Sequence, residues 1–181
     1  MRVQIVKYSE LQDQEFFTFF NLVESTDEET EKKNLIKNLK PGGFQEYIDI
    51  QIKLDSEDEI LQAIISLDRS WVGNADSLNP FAKDFVKSFV KALTPVEEIA
   101  QTAPLVDALF HIKGLNDKII SINSRNRKME EYPQPVMDFV DVYRNLLSSC
   151  KYELHNSYFI IKNLKQEGIE RVLVHWNTEC T

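Results

Sequence analysis

The sequence predicts an α+β fold, mainly helical, with about six to eight helices around a small sheet of three to four short strands. Three observations predict it. Apolar residues recur at helical spacing through most of the chain, one segment alternates strictly with period two, and proline or glycine marks most of the intended element ends. At 181 residues, without a repeat, a low-complexity segment or an interior linker, residues 1–181 are expected to form a single globular domain.

The elements follow in order. Val3, Ile5 and Tyr8 mark a short strand over residues 2–8, and Ser9-Glu10-Leu11-Gln12 reads as a capping box. The helix after it carries Phe16, Phe17, Phe19 and Phe20. These cover more than half of the helical circumference, so the helix should be buried on several sides or docked on a partner. Residues 25–43, "STDEETEKKNLIKNLKPGG", start acidic and read as a mostly solvated helix ended by Pro41-Gly42-Gly43. In the strand over 44–54, Ile48, Ile50, Ile52 and Leu54 alternate with Asp49, Gln51 and Lys53. Ser56-Glu57-Asp58-Glu59 reads as a second capping box, opening a helix with Ile60, Ile64, Leu67 and Trp71 on one stripe.

Asn79-Pro80 starts another helix, with proline at the first position where its missing N–H is harmless. Its Phe81, Phe85, Phe89 and Leu93 form one face, and Lys83, Lys87 and Lys91 form a solvated ladder opposite. Thr94-Pro95 repeats the device, Pro104 opens a short helix closing at Gly114, and residues 117–123 suit a strand. From Val136 the apolar rhythm runs through Phe139, Tyr143, Cys150, Tyr158, Ile161 and Leu164, consistent with one helix or two over 135–167. Residues 170–176 fit a last strand, and helical spacing also fits them.

Composition narrows the functional classes. The net charge of −8 disfavours nonspecific binding to nucleic acid or anionic lipid, and it is uneven: residues 1–60 hold 7 basic against 14 acidic side chains. No apolar run is long enough to cross a bilayer, and no secretion signal opens the chain, so a cytoplasmic protein without a membrane partner is expected. Cys150 and Cys180 are too few for a disulfide framework. The five glycines do not build a phosphate loop, a dinucleotide fingerprint or a nucleophile elbow. No cofactor is expected.

Several clusters could carry chemistry. Arg125, Arg127 and Lys128 could present forked donors to an anion or phosphate, although Glu130 and Glu131 follow at once and cancel much of their field. Asp49 and Lys53 lie on the wet side of the period-two strand. A carboxylate and a polar-x-Lys so placed resemble the metal-and-lysine arrangement of restriction-endonuclease-like nucleases. That resemblance covers about five residues, and it implies a phosphoryl-handling enzyme with Asp49 on a divalent cation and Lys53 supporting the attacking water. An ordinary amphipathic strand explains the same pattern. Cys150, His155, His175 and Cys180 could supply zinc ligands, but their i, i+5 spacing splits them between helix faces, and no metal site is expected.

The reading that needs least special pleading is a noncatalytic protein-binding or regulatory domain. Phe16, Phe17, Phe19 and Phe20 would be its partner-binding residues, and its partner another protein, a second copy of the chain included. The alternatives are the Asp49/Lys53 nuclease and weak nucleic-acid or anion binding through Arg125, Arg127 and Lys128.

Overall fold

The computed structural model describes residues 6–25, 35–110 and 132–178. Two short helices, α1 (Tyr8–Gln12) and α2 (Glu15–Phe19), lead into an antiparallel meander of β1 (Val23–Glu24), β2 (Ile36–Lys40), β3 (Ile48–Leu54) and β4 (Ile60–Asp68). Helix α3 (Arg69–Val72) and a small hairpin of β5 (Gly73–Asn74) and β6 (Ser77–Leu78) follow. Next come α4 (Pro80–Leu93), a 3-10 turn (Val96–Glu98), α5 (Ile99–Ala108) and α6 (Gln134–Tyr143). A second meander, β7 (Ser149–Glu153), β8 (Ser157–Gln166) and β9 (Ile169–Thr178), ends the description. The two meanders join through β4 and β9 into one seven-stranded antiparallel sheet, ordered β1-β2-β3-β4-β9-β8-β7.

This corrects the expected fold: the molecule is organised by a large sheet and is not mainly helical. Four segments account for the difference. Residues 36–40, expected in a solvated helix, are β2. Residues 60–68, expected in a capped helix, are β4. Asp55 Oδ1 accepts from the backbone N–H of Glu57 and Glu59 (2.8 and 2.9 Å), and Asp58 sits at φ +67, so the acidic run turns a hairpin instead of capping a helix. A register shift between Lys53 and Leu54 sets Leu54 opposite Ile60 and Lys53 opposite Gln62. Ile60 and Ala63 are therefore both buried although three residues apart, which imitates helical spacing. Residues 149–153 and 157–166, read as a continuation of the helix from Val136, are β7 and β8.

Smaller expectations also shift. Tyr8 opens α1 instead of closing a strand, and the backbone N–H of Lys7 donates to Glu10, so the cap lies two residues earlier than the expected box. Pro104 sits inside α5 instead of opening it. The proposed strand over 117–123 lies outside the described residues. Residues 170–176 are strand, within β9, and the tight turn before it has positive φ at both Glu167 and Gly168, as a two-residue hairpin turn of right-handed strands requires.

One face of the sheet carries the core. Ile48, Ile50 and Ile52 of β3, Ala63, Ile65 and Leu67 of β4, Val172, Val174 and Trp176 of β9, and Phe159 and Ile161 of β8 are all buried. Helices cover this face. Phe89 of α4 meets Phe159 with ring centroids 6.4 Å apart, and Phe16 of α2 packs on Phe85 and Phe89 at 5.3 and 5.7 Å. Asn79 Oδ1 caps α4 by accepting from the N–H of Phe81 at 3.0 Å, as the Asn-Pro pair predicts. The opposite face has no helix against it among the described residues.

Two buried polar groups tie the layers. Arg69, at the start of α3 just past β4, donates to the carbonyls of Tyr143 (2.7 Å) and Val142 (3.4 Å) at the C-terminus of α6, and to Asn163 Oδ1 of β8. A cation there satisfies carbonyls that the helix leaves unpaired. Glu98, 2% exposed, accepts from the N–H of His155 and Asn156 and so pins the β7–β8 turn.

Candidate functional site

Of the four expected partner-binding rings, Phe16 is buried, Phe17 and Phe20 are half-buried, and Phe19 is 73% exposed. Helix α2 is only five residues long, so it cannot bury a wide apolar surface on every side. It turns Phe16 into the core and leaves Phe19 outside, in edge contact with Phe20 at 5.0 Å. Phe20 rests on Phe85 at 4.8 Å.

Across from these rings stand Phe44 and two aromatic residues that the sequence placed in apolar helical stripes, Trp71 and Phe81. Phe44, in the β2–β3 connection, lies 5.4 Å from Trp71 of α3 and 5.6 Å from Phe81 of α4. Tyr47 stacks on Trp71 at 5.9 Å, nearly parallel. The rings of Phe19, Phe20, Phe44, Trp71 and Phe81, with Pro41, Gly42, Gly43 and Ile48, line a groove of about 370 Å³. Phe81 is 59% and Phe44 46% exposed, so the groove opens to solvent with aromatic faces on both walls. Phe44 sits at φ +58, a left-handed conformation that costs a bulky L-residue about 1–2 kcal/mol, and in it the ring faces the groove.

The segments that supply or follow the groove's rings carry exposed carboxylates. Glu15 on α2, Glu46 beside Phe44, Asp76 after Trp71 and Asp84 on α4 are all exposed. Of the three α4 lysines, one pairs with a member of this set and two turn elsewhere. Lys83 is buried instead of solvated, and it and Lys87 approach the Phe110 ring at 5.0 and 3.6 Å, while Lys91 pairs with Glu15 at 3.9 Å. The expected solvated ladder is thus broken: Lys83 and Lys87 pack on Phe110 and Lys91 alone stays exposed. Burial, with Arg144 nearby, draws the Lys83 ammonium down to about 8.

The Asp49 and Lys53 pair lies on the open face of the sheet, as period two requires. Asp49 lines a cleft of about 670 Å³ with Lys40, Gln51, Ser66 and Arg171. Its two carboxylate oxygens are each taken by a cation, Lys40 and Arg171, and Arg171 also donates to Ser66 Oγ at 2.6 Å. A carboxylate so neutralised is an ion-pair centre and not half of a metal site. Glu24 of β1 pairs with Lys37 and accepts from the Tyr8 hydroxyl. Among the described residues no group of three His, Cys, Asp or Glu gathers as metal ligands.

Cys150 lies on β7, where burial first and Asp138 second push its thiol up to about 12, far from the thiolate a nucleophile needs. Arg125, Arg127, Lys128 and Cys180 lie outside the described residues. Among those described, no helix is long and apolar enough to cross a membrane. No family model, curated protein or solved structure matches this chain.

Proposed function

We propose that the protein is a noncatalytic binding protein that holds a basic protein partner by seating an apolar or aromatic side chain in the groove between Phe19 and Phe81. The observation that carries this reading is the set of aromatic rings kept at the surface around that groove, one of them at an unfavourable backbone angle. Burying the exposed part of one such ring, on the order of 100 Å², contributes about 2.5 kcal/mol before the costs of association. Two or three rings therefore make an anchor of the kind that dominates protein interfaces. Glu46, Asp76 and Asp84, exposed on or after the segments that supply the rings, complement a partner with Lys or Arg around its anchor, and the exposed ring faces would also attract cations.

Fluorescence anisotropy with short labelled peptides tests the proposal, crossing an anchor residue (Trp, Leu or Ala) with flanks of Arg or Glu. Trp or Leu anchors with Arg flanks should bind best, and Phe81→Ser or Phe19→Ser should weaken that binding about tenfold. Equal response across the panel, or unchanged binding by both variants, would overturn it.

A further inference from the structure

The groove between Phe19 and Phe81 is not uniformly apolar. Among the described residues that line it, the indole of Trp71 and the amide of Asn21 are the polar side chains. Asn21 lies in the turn after α2 at φ +48, a left-handed conformation that asparagine tolerates better than most residues. Its side chain lies along Gly42 on the facing segment. A Cβ added at Gly42 would stand 3.0 Å from Asn21 Nδ2 and 3.2 Å from Asn21 Cβ, so glycine there lets the amide rest on the wall of the groove. The N–H of Gly42 donates to the Phe20 carbonyl at 2.9 Å and holds the two segments at that spacing. Nδ2 is the amide atom turned toward Gly42, which leaves Oδ1, an acceptor, on the far side. Among the described residues the Asn21 side chain has no hydrogen-bond partner.

We infer that Asn21 sets the identity of the anchor: the groove takes a tryptophan side chain of the protein partner, stacked on its rings, with the indole N–H donated to Asn21 Oδ1. This rests on the groove reading above and names the side chain it selects. An anchor that fills the groove also takes water away from the Asn21 amide. Beneath leucine or phenylalanine the amide loses the hydrogen bonds that water gave it, whereas an indole N–H replaces one of them. The same bond serves the indole, whose N–H needs a partner when it is buried. The volume of about 370 Å³ is near the low end for ligand pockets and suits one side chain. A nucleobase also combines a ring face with edge donors. It arrives on a phosphodiester, however, which a chain of net charge −8 with exposed Glu46, Asp76 and Asp84 on or after the ring-bearing segments repels. The left-handed turn does not by itself call for an amide, because glycine adopts that conformation at less cost.

The test is anisotropy of labelled Arg-flanked peptides on the full chain, with Trp or naphthylalanine as the anchor, beside labelled oligoadenylate. Naphthylalanine keeps the fused rings and lacks the N–H, so the ratio of its Kd to that of the Trp peptide isolates the hydrogen bond. The native chain should prefer Trp by about five- to tenfold. Asn21→Gly keeps the turn and removes the acceptor, and should abolish the preference. Asn21→Asp keeps the acceptor and should retain the preference, since its added charge acts on both peptides alike. Each variant is first shown to melt cooperatively. Equal binding of the two peptides by the native chain, a preference that survives Asn21→Gly, or one lost in Asn21→Asp overturns the role of Asn21. The groove itself still stands in those cases if Phe81→Ser weakens both peptides. Failure of the groove looks different: neither peptide binds, or Phe81→Ser changes neither, and this inference falls with it. Tighter binding of oligoadenylate than of the Trp peptide would make the groove a nucleobase site and overturns the inference as well.

Discussion

Arg69→Met removes the guanidinium that joins the start of α3, just past β4, to α6 and β8 while keeping an unbranched apolar stem. Three acceptors lose a donor, with unequal consequences. The Val142 carbonyl keeps the Asn163 amide at 3.1 Å and the Asn145 N–H at 3.0 Å, so it stays satisfied. Asn163 Oδ1 is half-buried, within reach of water. The Tyr143 carbonyl loses its 2.7 Å bond to a charged donor, worth about 1.5–3 kcal/mol. Loss of the cation at the C-terminus of α6 adds about 0.5–1 kcal/mol. Against this stands relief of a buried charge: burial draws the Arg69 guanidinium down to about 10, so its ionised form is held at some cost, on the order of 1 kcal/mol. The net expectation is a loss of about 1–3 kcal/mol, which lowers Tm by roughly 3–10 °C for a chain of this size. Urea unfolding followed by far-UV circular dichroism measures it. A change below about 0.5 kcal/mol would refute the idea that Arg69 clasps the layers together.

Two further outcomes follow from the buried and half-buried cations. Lys83 titrates near 8 in the folded chain against 10.5 unfolded, so below pH 8 it is protonated in both states and the full cost of burying its charge is present. Between those values only the unfolded chain keeps the proton, so folding gains stability as pH rises. Lys83→Met should therefore exceed the native chain in urea stability at pH 7, with the gap closing towards pH 10.5, and a constant gap would contradict this. Burial, with Lys162 second, holds the His175 imidazole below its ordinary value, so Lys162→Met should raise it part of the way back. NMR titration of the His175 ring protons reads this directly, and an unchanged or lower value would remove Lys162 from its surroundings.

Some elements were legible because one local cause decides them. Asn79-Pro80 caps and opens α4, and the alternation from Ile48 to Leu54 describes a strand with one wet side. Others were hidden for reasons that now have names. The bulge opposite Ile60 broke the period of β4 and left a helix-like interval. In β8, Tyr158 and Ile160 face outward yet are as apolar as the inward Phe159 and Ile161, so the segment reads as a continuous apolar run compatible with a helix. The aromatic groove was half legible. The Phe16–Phe20 cluster announced an excess of rings, but Phe44, Trp71 and Phe81 come from the β2–β3 connection, α3 and α4, and local pattern cannot bring them together.

The amino-acid order by itself determined charge, the apolar supply, the Asn-Pro helix start and the one clean strand, since each depends on neighbours within a few residues. Only the tertiary structure decided that β4 pairs with β9, that Lys83 goes inside, that Lys40 and Arg171 close on Asp49, and which rings stay at the surface. Those outcomes depend on contacts between residues far apart in the chain: a strand's partner supplies the hydrogen bonds and the buried face that its own sequence cannot.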